Sequence, residues 1–286
     1  MRILYILITL LMFSSCLKEE YQHNSFEEQL VVEGWIDQGS GPKVMLSLNM
    51  SHREEISEET LRDKIVRYAI VRVTDVDNNI TEQLTCKIDK RYPTQCIYQG
   101  WQIEGHEGGT YRLDIDYSGR HWSATTTIPK ANELYDIRTE LVGDKMYRIK
   151  ATIKPNEEGL PYMIQCATSF TKEDAPIYLP PALFGIIKQC EKETTITINR
   201  PLDYTNVFDY STMFLIYEDV YIRFCTMPKF GYRYWSTWEN CTLNSLNPVF
   251  PVDEEPPTNI SGGASGIWIG YGVTSYIVVP QTIPQQ

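Results

Sequence analysis

The stretch Thr110–Ile128, TYRLDIDYSGRHWSATTTI, contains two runs in which apolar and polar residues alternate. This period of two is typical of a β-strand that buries one face and leaves the other in water. Between the runs, Ser118-Gly119 is a pair suited to a tight hairpin turn. The stretch therefore predicts a β-hairpin, and the segments on both sides follow the same pattern.

Residues 29–130 are predicted to form one β-sandwich domain, since short strand-like runs recur there with turn residues between them. The runs are LVVEGWI (30–36), KVMLSLNM (43–50), YAIVRVTDV (68–76), ITEQLTCKI (80–88), TYRLDIDY (110–117) and HWSATTTI (121–128). Only SEETLRDKIV (57–66) predicts a helix, because Ser57 is a good N-cap and Glu58 and Glu59 favour the first turn.

Residues 131–286 are predicted to form a second, β-rich domain after Pro129 ends the first. Its predicted strands are YDIRTEL (135–141), YRIKATIK (147–154), YMIQCATSF (162–170) and TTITINR (194–200). The fold class is therefore all-β.

The N-terminus has the features of a lipoprotein signal. Basic Met1-Arg2 precedes an apolar run, Ile3–Phe13, that is too short to span a bilayer. The small residues Ser14-Ser15 stand directly before Cys16, as in a bacterial lipobox. We expect residues 1–15 to be a signal peptide, Cys16 to be lipidated and residues 16–28 to be a tether. The alternative is an ordinary signal peptide whose cysteine joins a disulfide.

The Leu17-Lys18-Glu19-Glu20 segment resembles the export signal of surface lipoproteins in the Bacteroidetes. A solvated tether has the same composition. We expect the protein to be anchored to the outer membrane by its lipid and to face outward.

Composition excludes two classes of protein. The formal charge is −11, and the sequence contains no cluster of basic residues of the kind that contacts phosphate groups. We therefore expect no nucleic-acid partner. With 42% hydrophobic and 12% aromatic residues, the chain is too apolar to be disordered.

The mature chain keeps six cysteines, an even number that suits disulfides in an exported protein. Spacing favours local pairs, and the alternative is free buried thiols. The candidate pairs are Cys86 with Cys96, Cys166 with Cys190, and Cys225 with Cys241.

No motif in the sequence predicts catalysis, a metal site or a cofactor. The four histidines are scattered singly. Asp75–Asn79 resembles the opening of a calcium loop, but Ile80 stands where that loop requires glycine, so a hairpin turn is favoured. Ser265 lacks the glycine spacing of a nucleophile elbow, and the SGGASG segment around it favours close backbone packing. We expect a protein that is not an enzyme.

Residues 204–238 are unusually rich in aromatic side chains. Such residues fill sandwich cores, and they also form binding surfaces when displayed. The candidates for ligand binding are Tyr232, Tyr234, Trp235 and Trp238, where Gly231 and Arg233 indicate a loop.

Three patterns occur in order along the chain: Leu30–Ile36, Gly109–Ile115 leading into Ala124–Pro129, and Asn259–Tyr271. Together with the lipobox they resemble the DUF4249 family of Bacteroidetes lipoproteins. The resemblance implies an immunoglobulin- or transthyretin-like first domain, a second β-rich domain and genes for TonB-dependent transporters nearby. It brings no catalytic residues.

The leading hypothesis is therefore a non-enzymatic surface lipoprotein that binds a ligand or serves as accessory partner of a TonB-dependent outer-membrane transporter. The alternative is a structural or adhesive surface protein with an immunoglobulin-like interaction domain. A hydrolase ranks third and requires Asp, Glu and His to gather in one concave site.

Overall fold

The computed structural model describes residues 26–51, 54–169, 176–178, 180–201, 211–245 and 254–279. Within these ranges the chain is all-β, with sixteen strands and two helices. The strands are Leu30–Asp37 (β1), Lys43–Leu48 (β2), Ile70–Asp75 (β3), Ile80–Gln83 (β4), Thr85–Ile88 (β5), Cys96–Gln99 (β6), Thr110–Tyr117 (β7), Arg120–Thr127 (β8), Leu134–Val142 (β9), Met146–Ile153 (β10), Tyr162–Ser169 (β11), Ile186–Ile187 (β12), Thr194–Ile198 (β13), Phe214–Leu215 (β14), Asp219–Thr226 (β15) and Ser265–Val278 (β16). The helices are Glu58–Asp63 (α1) and Lys229–Ser245 (α2).

The predicted hairpins are confirmed. β7 and β8 pair antiparallel, and the turn between them places Ser118 and Gly119 at φ 50 and 74°. β3 and β4 also pair antiparallel, and the Asp75 carboxylate closes their turn by accepting hydrogen bonds from Asn78. The Asp75–Asn79 segment is thus a hairpin turn, as the glycine requirement of a calcium loop indicated.

Two sandwiches follow from the strand pairing. The first packs the sheet β4-β3-β7-β8 against β1, β2, β6 and β5 around a core that includes Val32, Val73 and Leu113. The second packs β9, β10, β13 and β14 against β11, β15 and the end of β16, around Ile149, Phe214 and Phe224. The ITEQLTCKI run divides between two sheets at buried Leu84, so β4 and β5 lie in different layers.

The long strand β16 joins both sandwiches into one sheet of order β12-β11-β15-β16-β1-β2-β6-β5. Its first half, from Ser265 to Tyr271, runs parallel to β1, and its second half runs antiparallel to β15. The C-terminal segment thus supplies a strand to the sheet that begins with β1. The division of the chain at residue 130 remains a prediction, and β16 contributes side chains to both cores.

The indole of Trp268 on β16 is fully buried and touches all three patterns of the sequence. Its Nε1 donates to the Tyr111 carbonyl at 3.0 Å. A Cβ at Gly34 would lie 2.8 Å from the Trp268 ring, so glycine leaves the space that the indole fills. The Asn259 side chain bonds both the N–H and the carbonyl of Trp268, at 3.0 and 2.8 Å.

The glycines before Trp268 permit close backbone approach, as the sequence predicted. Gly266 has φ +108°, and a Cβ there would lie 1.8 Å from the Val32 carbonyl oxygen. Gly263 also has a positive φ, +76°, but nothing lies within 4 Å of its Cβ position. Gly266 therefore combines a left-handed backbone with close contact to the neighbouring strand β1, and Gly263 has only the left-handed backbone.

Helix α1 is confirmed at the predicted place, with the Ser57 side chain accepting from the Thr60 backbone N–H. Among the residues that the structure describes, neither helix is long and apolar enough to cross a membrane.

Replacement of Gly266 by alanine tests the parallel pairing of β1 and β16. We expect Gly266→Ala to lower the free energy of unfolding by about 4 kcal/mol, because the new methyl collides with the β1 backbone. Gly263→Ala is the matched control, with about 1 kcal/mol lost to backbone strain alone. Urea denaturation of both variants measures the difference, and equal losses would contradict this account of the strand pairing.

Candidate functional site

Helix α2 covers the second face of the eight-stranded sheet, the face turned away from the sandwich cores. The residues beneath and around it form a third buried cluster, contributed by β1, β2, β6, β11, β15 and β16. Trp35, Met45, Ile267 and Ile269 belong to this cluster. The central strands β1, β15 and β16 are therefore buried on both faces.

The four aromatic candidates lie on α2, so the prediction of a displayed loop is wrong. Trp235 and Tyr234 are 5% and 8% exposed, while Tyr232 and Trp238 pack half-buried against the same cluster. Gly231, which indicated a loop, is where the helix crosses the sheet: a Cβ there would lie 2.4 Å from Ile269 Cδ1. Close helix–sheet contact, rather than a turn, explains this glycine.

A cavity of about 300 Å³ opens beside α2 on this face of the sheet. Of the four aromatic candidates, only Trp235 lines it. The other aromatic walls come from four separate segments of the chain and were not among the predicted site residues, namely Trp35, Tyr92, Tyr178 and Tyr271. Trp235 Nε1 donates to the Tyr271 hydroxyl at 2.8 Å, which fixes both rings at the rim.

Arg223 on β15 is the buried cation of the cavity. Its guanidinium donates to the carboxylate of Asp37 and to the side-chain oxygen of Gln165. It also lies 5.3 Å from the ring centre of Tyr271 and 5.9 Å from that of Tyr178. Arg223 and Asp37 therefore form an ion pair with each other, and this pair links β15 to β1 across the intervening strand β16.

Glu33 on β1 is the unpaired acid of the cavity. The described residues offer its carboxyl neither a hydrogen bond nor an ion pair. Burial raises the pKa of Glu33 to about 7, because the charged form loses water without gaining a partner. The nearby Glu33 charge also adds to the burial that raises the pKa of Tyr234.

Lys43 on β2 lines the same cavity, directly opposite Trp35 in the antiparallel register. Burial lowers the pKa of Lys43, Asp37 opposes this shift and Arg223 adds to it. Within the described part of the chain, no carboxylate forms an ion pair with its ammonium group. The cavity thus holds one acid and one amine that lack bonded partners.

The six predicted disulfide cysteines are free thiols in the structure. The β5–β6 hairpin brings Cys86 and Cys96 close enough for a hydrogen bond between their side chains. Burial, followed by the hydrogen bond with Cys86, raises the pKa of Cys96 to about 12.

The other four sulfur atoms have separate partners. Cys166 and Cys225 donate to Asn199 and Gln165, Cys241 donates to the Glu254 carbonyl, and Cys190 bonds with Thr194. All three pairings remain predictions.

A second polar cluster forms where Asp75, Asp77 and His106 place their ligand-type atoms within 4.8 Å of one another. Both carboxylates already accept backbone hydrogen bonds, Asp75 from Asn78 and Asp77 from Thr110. The arrangement is therefore explained by the β3–β4 turn.

Sequence reasoning missed Glu33, Lys43 and Arg223 as site residues. One signal for Glu33 was present, because it is the only charged residue within the apolar run LVVEGWI. A strand that is apolar at both alternating sets of positions is buried on both faces, so an acid within it faces protein. The spacing of Phe230, Tyr234 and Trp238, four residues apart, likewise fits one face of a helix.

Glu33→Gln tests the buried acid through pH. Between the ordinary pKa of 4.5 and the folded value of about 7, the folded protein keeps a proton that the unfolded chain releases. The free energy of unfolding of the wild type therefore falls as pH rises through this window, and the variant lacks this fall.

We expect Glu33→Gln to match the wild type near pH 4 and to exceed it by about 3 kcal/mol at pH 8. Urea titrations across this range measure the difference. Glu59→Gln, at an exposed position on α1, is the control and should follow the wild type. A Glu33→Gln variant whose stability difference does not change with pH would contradict the assignment.

Mild oxidation tests the cysteine contacts. We expect Cys86–Cys96 to be the first disulfide formed, because its sulfur atoms already touch across neighbouring strands. Peptide mass spectrometry under non-reducing conditions identifies the bond. A cross-link between Cys225 and Cys241 forming earlier would contradict the placement of those two thiols.

Comparison with known proteins identifies a family but no characterised relative. No curated protein matches the chain. Among solved structures, the FN1–FN3 domains of chicken CNTN1 match with 11% identity and a TM-score of 0.24, over 68% of this chain and 59% of that chain. Residues 18–277 match the family described as "Domain of unknown function (DUF4249)". Because this match spans nearly all of the sequence and every described sheet, the chain belongs to the DUF4249 family.

Proposed function

We propose that this protein is a non-enzymatic surface lipoprotein that captures a small ligand in the cavity beside α2 and serves as accessory partner of a TonB-dependent outer-membrane transporter. The observation that carries the binding role is the pairing of aromatic walls with two polar groups that lack bonded partners, Glu33 and Lys43. Ligand sites combine such apolar walls with a few polar groups that orient the ligand.

The cavity is built to keep its shape without a ligand. Its floor is a sheet of paired strands, and its wall is a helix whose Trp235 is bonded to Tyr271. The ion pair of Arg223 with Asp37 ties two strands of the floor together. A pre-formed site of this kind loses little conformational entropy when it binds.

The arrangement of the carboxylates favours binding over hydrolysis. Glu33 and Asp37 stand four residues apart on β1, or about 13 Å along the strand, which exceeds the separation that glycosidases use. Asp37 is also engaged by Arg223. The described residues that line the cavity include no histidine to serve as a general base.

The transporter partnership rests on what resemblance to the DUF4249 family implies, namely genes for TonB-dependent transporters nearby, and on the N-terminal sequence. Cys16 and residues 17–25 of the tether lie outside the described residues, and the lipobox is the reason to place the protein on a membrane. A lipid and a flexible linker keep the binding domain at high local concentration beside a membrane partner. Capture next to a transporter is the use that fits a lipid-held binding protein without catalytic machinery.

Affinity capture of the tagged full chain from native membranes tests the proposal. We expect a TonB-dependent outer-membrane receptor to be enriched together with the protein. Cys16→Ala is the matched control: it removes the lipidated thiol, so the protein should move to the soluble fraction and recover at least tenfold less receptor. Quantitative mass spectrometry measures both samples.

Two outcomes would contradict the proposal. One is the absence of any outer-membrane receptor from the wild-type sample, with no small molecule bound to the purified protein by native mass spectrometry. The other is a deletion strain that takes up nutrients normally but has altered surface assembly, which favours the structural or adhesive alternative.

A further inference from the structure

We propose that the cavity beside α2 binds a small zwitterion of the amino-acid type, with its ammonium at Glu33 and its carboxylate at Lys43. This inference rests on the proposed binding function and specifies the ligand class. Free α-amino acids and dipeptides share this chemistry, and the experiment below distinguishes them.

The strand register places the two unpaired groups on one wall of the cavity. Glu33 lies opposite Met45, and Lys43 lies opposite Trp35, so Glu33 and Lys43 are diagonal neighbours on the same face of the β1–β2 pair. Diagonal positions in an antiparallel pair are about 7 to 8 Å apart at Cα. Long side chains can bridge that distance, yet these two form no ion pair with each other.

Charge differs between the two ends of the cavity. One end of the cavity holds three charged groups that influence one another, namely Asp37, Arg223 and Lys43. Their formal charges sum to +1. Because Asp37 is bonded to Arg223, the surplus positive charge belongs to Lys43. Glu33 lies towards α2, next to Tyr234, and carries the opposite charge when ionised. A ligand with a positive and a negative end matches this polarity.

Desolvation explains why the ligand should carry both charges. Burial raises the pKa of Glu33 and lowers that of Lys43, so each group is partly shielded from water, and only the Asp37 charge offsets the effect of burial at Lys43. An ammonium and a carboxylate from the ligand would supply the missing partners. A neutral sugar of similar size would fill the space but leave both ionisable groups uncompensated.

The walls between the two groups accommodate an apolar side chain. Trp35 lies beside both groups, two residues from Glu33 on β1 and directly opposite Lys43 on β2, and Ile267, Ile269 and Trp235 complete the surface. The cavity volume of about 300 Å³ suits a ligand of one or two residues. We expect an aromatic or branched side chain to be preferred.

Calorimetric titration of the full chain with L-phenylalanine and with glycyl-phenylalanine tests the inference. Each probe is compared with its N-acetyl derivative and its C-terminal amide. We expect at least one unmodified probe to bind, and each blocked form to bind at least tenfold more weakly, because each modification removes one charge. The stronger of the two probes distinguishes a site for free amino acids from one for dipeptides.

Two variants assign the charges to their residues. In Glu33→Gln, the N-acetyl derivative should bind as well as the unmodified probe, since the group that recognises the ammonium is gone. In Lys43→Met, the C-terminal amide should bind as well as the unmodified probe, since the group that recognises the carboxylate is gone. Glu59→Gln on α1 and Lys87→Met on β5 are exposed controls and should leave all affinities unchanged.

The outcomes separate this inference from the proposed function. If the blocked probes bind as tightly as the free ones, or if only an uncharged ligand such as cellobiose binds, the zwitterion assignment is wrong while a binding function stands. If native mass spectrometry of protein purified from cells shows no ligand and no probe binds, both are wrong.

Discussion

The burial of Trp268 is the contact on which the rest of the fold depends. Its indole fills the space that Gly34 leaves on β1 and donates to the Tyr111 carbonyl on the opposite sheet, while Asn259 secures its backbone. The parallel pairing of β16 with β1 brings the end of the chain next to its first strand. Both sandwiches therefore share one continuous sheet, and the core of the first includes Ile260, Ala264 and Trp268 from the C-terminal segment.

The same register determines the cavity. Side chains alternate across a strand, so the residues of β1 that face away from the Trp268 core are Glu33, Trp35 and Asp37. On β16 the corresponding residues are Ile267, Ile269 and Tyr271. If β1 shifted by one residue relative to its neighbouring strands, the side chains that now face the core would line the cavity, and those that line the cavity would face the core. The packing of the sandwich and the chemistry of the candidate site are thus consequences of one alignment.

Local pattern predicted the parts of this fold that depend on local contacts. Alternation and turn residues identified the β7–β8 and β3–β4 hairpins, and Ser57 identified the start of α1. The pairing of β1 with β16 could not be predicted from local pattern, because neither strand contains a signal that identifies a partner so distant in sequence. Helix α2 was missed because aromatic residues favour strands and Gly231 favours turns, and these two preferences obscured the helical spacing of Phe230, Tyr234 and Trp238. The reason for Gly231 is its tertiary contact with Ile269, which the sequence does not show. Arg223 and Asp37 are far apart in sequence, and only the order of the strands in the sheet brings them together at the cavity.

The position of β16 also bears on how the chain acquires its fold during synthesis. The strand that completes the sheet around β1 is made long after β1 itself, so β1 has one unpaired edge until β16 is present. Contacts between such distant segments close slowly, because a long loop must be ordered before they form. An open strand edge is also where misassociation begins. A chain that lacks β16 therefore keeps an open edge on β1, even when the other strands of the first sandwich are present.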